Sequence, residues 1–498
     1  MHNRTAVPVP AASRIQHRMG SLEQAVHSKQ FQAALHVVET LRARGYQAYF
    51  AGGCVRDLLL GITPKDYDVA TSARPEKVLL GFERTFGVGA HFGVVIVCTA
   101  HEATGCDVKT EVATFRDDGV YLDGRRPEQV TYSDSPQHDV VRRDFTVNGM
   151  LLHPVGLTEA NLHENVLDFV NGQRDLEARV LRAIGDPGRR FQEDKLRMLR
   201  AVRFAARFGF VIDPATMAAM QQQAASIYQV SAERVRDELT RMLTEGHAAR
   251  AFELLDTSGL LPHVLPEVAR MKGVEQPPDW HPEGDVWVHT LLLLGKLPAG
   301  AAPTLAWSAL LHDVGKPPTY RAPNPNETRP RIRFNGHADV GATMTRAILN
   351  RLRFSNDEID QIVSLVGNHM RFGDVKNMKQ STLRRFFRLH NFPEHLQLHW
   401  LDVTSSHNLL GMYDYAKQHY EAVPAEEHRA QPLITGRDLI EAGLKPGPRF
   451  KDLLREMEDA QLEGTVRDRD EATALLQQRL QRDTNETSEN ETSEEVRA

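Results

Sequence analysis

The sequence predicts an α+β protein, with a small mixed β-sheet near the N-terminus and a longer, mainly helical region after it. Three observations support this. Short β-branched and apolar runs at residues 48–53, 66–70, 93–99 and 107–115 read as strands and fall in the first quarter of the chain. After about Arg174 that signal fades, and apolar residues recur at helical spacing in 191–208, 232–243 and 249–260. Finally, 498 residues with 41% hydrophobic content exceed what one core usually organises, so several domains are expected.

Taken in order, residues 1–30 are a polar lead, and 31–44 have the spacing of an amphipathic helix. The strand at 48–53 runs into Gly52-Gly53, where no Cβ hinders the approach of backbone amides to a phosphate. The strand at 66–70 carries Asp66 and Asp68, which share a face because side chains alternate. The run 93–99 is apolar throughout, as a buried strand would be, and 107–115 can aim Glu111 at the same face as the two aspartates. Residues 116–136, polar and glycine-containing, read as a mobile loop. Further on, Pro, Gly and charge at 277–284 mark a boundary before an apolar helix at 286–297, and 321–331 reads as a loop. The sequence contains no internal repeat.

The net charge of −6 is unevenly spread. Residues 483–498 carry six acids against Arg497 and have almost nothing to bury, which predicts a disordered acidic tail. Residues 179–210 carry nine bases against three acids, a local surplus suited to phosphate. Cys54, Cys98 and Cys106 form no framework, no run approaches a membrane span and residues 1–20 lack a secretory pattern, so a reducing cytoplasm and no membrane are expected.

Paired carboxylates beside a Gly-Gly turn suit two divalent ions and a triphosphate, which points to nucleotidyl transfer with Asp66 and Asp68 as the clamp and Glu111 as third carboxylate. Glu193, Asp194 and Arg197 converge if 191–208 is one helix, since 193 to 197 is i to i+4 and 194 to 197 is i to i+3. An aspartate accepts from an exocyclic amino group while a guanidinium donates to a ring nitrogen or carbonyl. Cytosine and adenine both offer an amino group beside an acceptor nitrogen; uracil and guanine reverse that polarity and would leave buried groups unpaired. Selection of CTP and ATP follows. A second set, His289, His312-Asp313 and Asp402, combines imidazole and carboxylate in a way that suits a transition metal or magnesium, and His337 and His369 can complete a second ion site.

Gly52-Gly53-x-Val55-Arg56-Asp57, Asp66-x-Asp68, Arg142-Arg143-Asp144-Phe145-Thr146-Val147-Asn148 and Glu193-Asp194-x-x-Arg197 resemble, in order and spacing over about 48–245, the class II tRNA nucleotidyltransferase/poly(A) polymerase family. The closest likeness is to CCA-adding members with a C-terminal HD domain, whose pattern Leu310-Leu311-His312-Asp313-Val314-Gly315-Lys316-Pro317 resembles. The resemblance implies Gly52, Gly53 and Arg56 at the nucleotide phosphates, magnesium on Asp66 and Asp68, Arg143 and Asp144 at triphosphate and ribose, Asn148 supporting that loop, and Arg200 and Arg203 near the nucleotide. It ties the 116–136 loop to the switch from C to A addition, and it implies that a metal in the HD site would activate water against phosphomonoesters or cyclic phosphodiesters. The expected organisation is a lead at 1–30, a catalytic head at 31–174, a helical neck at 175–276, an HD phosphohydrolase-like domain at 277–430, a tRNA-binding helical segment at 431–482 and the tail at 483–498. The function implied is template-independent addition of CCA to tRNA from CTP and ATP. An A-only enzyme or poly(A) polymerase shares these motifs, but the acidic tail argues against a maker of long tails. A metal-dependent phosphohydrolase with an inactive, RNA-binding transferase half is disfavoured by the intact Asp66, Asp68, Glu193, Asp194 and Arg197.

Overall fold

The computed structural model describes residues 22–87, 93–99, 108–118, 130–424 and 431–495, with backbone alone at Asp118, at Val130 and after 482. The chain divides into two units, residues 1–242 with 250–266, and residues 243–249 with 267–498. The cysteine at 106, the lead before residue 22 and the tip of the 116–136 loop lie outside the described residues.

In the first unit, β1 (Ala48–Ala51), β2 (Asp68–Thr71), β3 (Thr85–Phe86), β4 (Val94–Thr99) and β5 (Val108–Thr114) are followed by a separate hairpin of β6 (Arg116–Asp118) and β7 (Val130–Tyr132), then by β8 (Met150–Leu152) and β9 (Val166–Asp168). The main sheet has the order β3-β4-β5-β2-β1-β8-β9. It is mixed, as predicted: β2 and β5 run parallel with Val69 opposite Val112, while β1 is antiparallel to β2. That parallel register sets Asp68 next to Glu111, both on the face opposite buried Val69 and Val112. The helix Lys29–Ala43, capped by Ser28, buries Phe31, Val37, Val38 and Leu41; Phe31 meets Phe50 and Tyr67 edge to face at 5.2 and 5.4 Å. The polar lead therefore ends in ordered helix, since Leu22–Val26 is already helical and buries Leu22 and Ala25.

Two expectations are corrected here. Residues 191–208 are not one helix. Pro187–Glu193 ends at Asp194, which has extended backbone (φ −145°, ψ 105°), and a new helix runs Leu196–Phe208. The Asp194 carboxylate accepts from the Leu196 amide at 3.0 Å, so a local side-chain bond replaces the continuing helical ladder. Nor is the acidic tail free of structure, because the backbone of Arg469–Glu495 is helical. Ala472 and Leu476 anchor its start in a cluster with Leu453 and Met457, and extending a nucleated helix adds a bond for each residue fixed.

The second unit is helical. Val286–Gly295, Pro303–Leu311, His337–Arg351, Asn356–Asn368 and Phe392–Ser405 pack around Trp307, which is fully buried and meets Phe354 edge to face at 5.2 Å. Among the described residues, no helix is long and apolar enough to cross a membrane.

His395 lies in this unit with neither ring nitrogen hydrogen-bonded, and burial, reinforced by Arg371 and His390, pushes it down to about 4. The unfolded ring binds a proton below about 6.5 and the folded ring only below about 4, so unfolding takes up a proton between these values. The stabilisation is complete above 6.5 and is lost as pH falls towards 4, by up to about 3 kcal/mol. Chemical denaturation between pH 7 and 4 checks this: His395→Leu should flatten the acid limb relative to the parent protein.

Candidate active site

The head site grows from the turn after β1. Gly52 has φ +75°, and a Cβ there would sit 3.0 Å from Arg143 Nη1, so both backbone conformation and space call for glycine. Gly52→Ala should raise KM for nucleotide about tenfold while leaving the melting temperature within a few degrees, read by steady-state kinetics and thermal melting.

Arg56, on the short helix Gly53–Leu59, is buried: it donates through Nε and Nη2 to Asp57 Oδ1 and through Nη1 to Asn148 Oδ1, while its guanidinium lies 4.3 Å from the Phe208 ring centroid. Asn148 Nδ2 in turn donates to Asp144 Oδ1 at 3.1 Å, and Arg200 grips Asp144 Oδ2 through Nε and Nη2 at 2.9 and 2.6 Å. Asp144 is held below the usual carboxylate range, because Arg200 and these hydrogen bonds outweigh burial. Asp144 and Asn148, four residues apart, meet although the link between them is extended at Phe145 and then a single 3-10 turn. Arg143 donates through Nη2 to Asp139 Oδ2 at 2.8 Å, and Arg142 through Nε to Asp139 Oδ1 at 3.0 Å. Asp139 is fully buried and was missed from sequence; its position three and four residues before the two arginines was the available signal.

Asp68 opens β2, whereas Asp66 lies before the strand rather than in it; alternation still puts both outward, with Tyr67 buried between. Desolvation in the cleft, then Glu111 and Asp66, push the Asp68 carboxyl up to about 6 against the pull of Arg143. Such crowding of oxygen donors fits a divalent cation, which would relieve it.

A cavity of about 430 Å³ is lined by Gly52, Gly53, Arg56, Asp68, Arg143, Asp144, Asn148, Asp194, Arg197 and Arg200, together with Arg142, Phe204 and Arg234. Glu193 and Arg203 stand behind its wall. Glu193 receives Arg197 Nη1 and Arg190 Nη1, each at 2.8 Å, and Arg197 Nη2 donates to the Arg142 carbonyl at 3.1 Å. Glu193 thus orients Arg197 from outside the cavity lining, and the break at Asp194 corrects the expectation that all three motif residues converge on one side of a single helix. Arg203 is buried and donates to Glu238 at 2.7 Å. Arg234 was also missed: its Nη2 donates to Asp194 Oδ2 at 2.8 Å from a helix forty positions along the chain, where nothing local signals it.

In the second unit, His289, His312, Asp313, His337, His369 and Asp402 do come together. His289 Nε2 lies 3.1 Å from Asp402 Oδ1 and 3.3 Å from His312 Nε2, and His337 Nε2 lies 3.2 Å from His369 Nε2. Asp313 stands between the pairs, its Oδ2 3.2 Å from His312 Nε2 and its Oδ1 3.6 and 3.9 Å from His337 and His369. Three rings are fixed by Nδ1 at backbone carbonyls: His312 at Ala309, His337 at Phe334 and His369 at Val366, at 3.0, 2.9 and 2.6 Å. A carbonyl can only accept, so each Nδ1 carries the proton and each Nε2 can offer its lone pair to the centre. Burial, with His312, pushes His369 down to about 4, and burial also lowers His337, so this pair meets lone pair to lone pair. Although burial opposes charge on His289, Asp402 and Glu283 push it up to about 9, so a proton there occupies the place a cation would take. Converging imidazole lone pairs around buried carboxylates fit two divalent ions. Lys316 Nζ reaches Asp313 Oδ2 at 2.7 Å and faces a cleft of about 470 Å³ that Arg331, Arg333 and Phe334 also line.

Comparison with known proteins agrees with this layout. The family model for the poly A polymerase head domain matches residues 48–182, that for the "Probable RNA and SrmB- binding site of polymerase A" matches 209–272, and a tRNA nucleotidyltransferase domain 2 model matches 337–477. A CCA-adding enzyme of Levilactobacillus brevis is 31% identical over 434 residues, covering 86% of this chain and 93% of that protein. One from Geobacillus stearothermophilus is 42% identical over 230 residues, covering 46% of this chain and 54% of that protein. The crystal structure of the Bacillus stearothermophilus CCA-adding enzyme in complex with CTP superposes with a TM-score of 0.65 at 27% identity, covering 92% of this chain and all of that one. With a relative matched over nearly its whole length, and the head cavity built from the motifs that first suggested it, this chain belongs to the CCA-adding enzyme family of tRNA nucleotidyltransferases.

Proposed function

We propose that this protein completes tRNA 3′ ends by adding C, C and A in turn, taking CTP and then ATP without a nucleic-acid template. The observation that carries this is the elbow at Asp194, which turns Asp194 and Arg197 into the cavity that also holds Asp68, Arg143 and Arg200. The tRNA 3′-hydroxyl forms a bond to the α-phosphorus, the α–β bridging bond breaks and pyrophosphate leaves. Asp66 and Asp68 would hold magnesium, with Glu111 beside them, and the ion would supply charge stabilisation for this transfer. Arg143 and Arg200 offer positive charge to the triphosphate, the buried Arg56–Asn148–Asp144 chain holds the phosphate loop in shape, and Asp194 with Arg197 chooses the base. The neck at 175–276, with its basic stretch at 179–210, and the helices at 431–482 are assigned to tRNA, by shape and phosphate contact, in the cytoplasm.

Purified protein supplied with tRNAs ending before the first C, after one C or after two, and with CTP or ATP separately, tests this. Extension of the first substrate by two residues with CTP alone is expected. Extension solely of the third, with ATP, would identify an A-only enzyme.

The six-residue His/Asp cluster supports a second activity, hydrolysis of phosphomonoesters or cyclic phosphodiesters in the second unit. Protein stripped with chelator and reloaded with Mn²⁺, Co²⁺ or Ni²⁺ should release phosphate from phosphomonoesters and ring-opened monoester from cyclic phosphodiesters. Asp402→Ala should lower that release at least about a hundredfold, as loss of a ligand would; equal release by parent and variant would refute this reading.

A further inference from the structure

One carboxylate beside the His/Asp cluster belongs to no motif read from the sequence. Glu283 Oε1 accepts from His289 Nδ1 at 2.7 Å and from His281 Nδ1 at 2.9 Å. Its side chain is 8% exposed, and its other oxygen is buried with no hydrogen-bond partner among the described residues. The backbone around it is pinned. Gly284 has φ +133°, and Asp285 caps the following helix by accepting from the Val288 amide at 2.8 Å and also takes the Gly273 amide at 2.7 Å. His281 lies on the wall of the 470 Å³ cleft with Asp313 and Lys316, its ring edge-on to that of His289 at 5.0 Å.

We infer that Glu283 is the positioning residue for one of the two ions proposed for this cluster, an inference that rests on reading the cluster as a metal site. Of the four rings, His312, His337 and His369 are oriented by neutral backbone carbonyls, which no side-chain substitution can remove. His289 is oriented by a carboxylate, which fixes its tautomer, turns Nε2 toward Asp402 and His312 and makes the ring a stronger electron-pair donor. The same oxygen sets the tautomer of His281 and leaves its Nε2 without a proton at the cleft wall. Glu283 therefore acts on the His289 half of the cluster and not on the His337–His369 half.

This asymmetry is measurable. Full-length protein carrying Asp66→Ala and Asp68→Ala, so that the head site takes no ion, serves as the parent; stripped with chelator, it is titrated with Co²⁺, followed by visible absorption and calorimetry. The parent should bind two ions. Glu283→Ala should weaken one of them ten- to a hundredfold and leave the other unchanged, and Glu283→Gln, whose amide oxygen still accepts one N–H, should fall between. A parent that binds no Co²⁺ would overturn the metal reading and the inference with it. A parent that binds two ions while both variants bind them equally well, with or without a lowered melting temperature, would overturn the role of Glu283 alone. Should the alanine variant fail to fold, the isosteric glutamine variant carries the same test.

Discussion

Alanine at both Asp66 and Asp68 is expected to lower incorporation of radiolabelled CTP or ATP by about a thousandfold or more, with the protein still folded. A metal ion on the reacting phosphate contributes several kcal/mol, and each 1.4 kcal/mol is a factor of ten. Both residues face outward from the sheet while Tyr67 packs inward, so the substitutions leave the core intact. Desolvation, with Glu111 and Asp66, pushes the Asp68 carboxyl up to about 6, a cost that a cation held there would offset. Parallel loss from Glu111→Ala, at about ten- to a hundredfold, would make Glu111 part of the same ion site.

The second large effect concerns base choice. Asp194→Ala should reduce kcat/KM for CTP by about a hundredfold or more and reduce discrimination against UTP, because the acceptor for the exocyclic amino group is gone. Asp194→Asn keeps the shape but gives the side chain a donor, so it should admit UTP better than the parent does, a change in preference that a simple loss of stability would not produce. Arg234→Ala is predicted to act in the same direction more weakly, by about tenfold, since the Leu196 amide still holds Asp194 when Arg234 is lost. Competition between labelled CTP and UTP on one tRNA separates the three variants.

The elbow also shows what could be read from sequence. Apolar spacing marked 191–208 as helical, but periodicity cannot see a single aspartate whose carboxylate bonds to an amide two residues on, and that break is what turns Asp194 into the cavity. Helical register placed Glu193 at the nucleotide and the family resemblance placed Arg203 there, yet Glu193 is bonded to Arg197 and Arg203 to buried Glu238, contacts that depend on tertiary packing. The strand pattern fared better. The apolar run at 93–99 and the alternation around Glu111 became β4 and β5, and the parallel pairing of β5 with β2 brought Glu111 beside Asp68 as alternation implied. In the second unit all six ligand candidates converge, and the signal that found them was a histidine beside an aspartate directly after an apolar helix. Glu283 and Arg234 were illegible for the opposite reason: each is an ordinary charged residue until the fold presents it to its partner.

The claim that protein side chains choose the base is tested most directly by incubating the parent enzyme with a tRNA transcript that lacks its last three nucleotides, all four nucleoside triphosphates present, and sequencing the 3′ ends. The account predicts CCA on nearly every extended molecule. Ends carrying U or G at appreciable frequency, or runs of A in place of CCA, would contradict it.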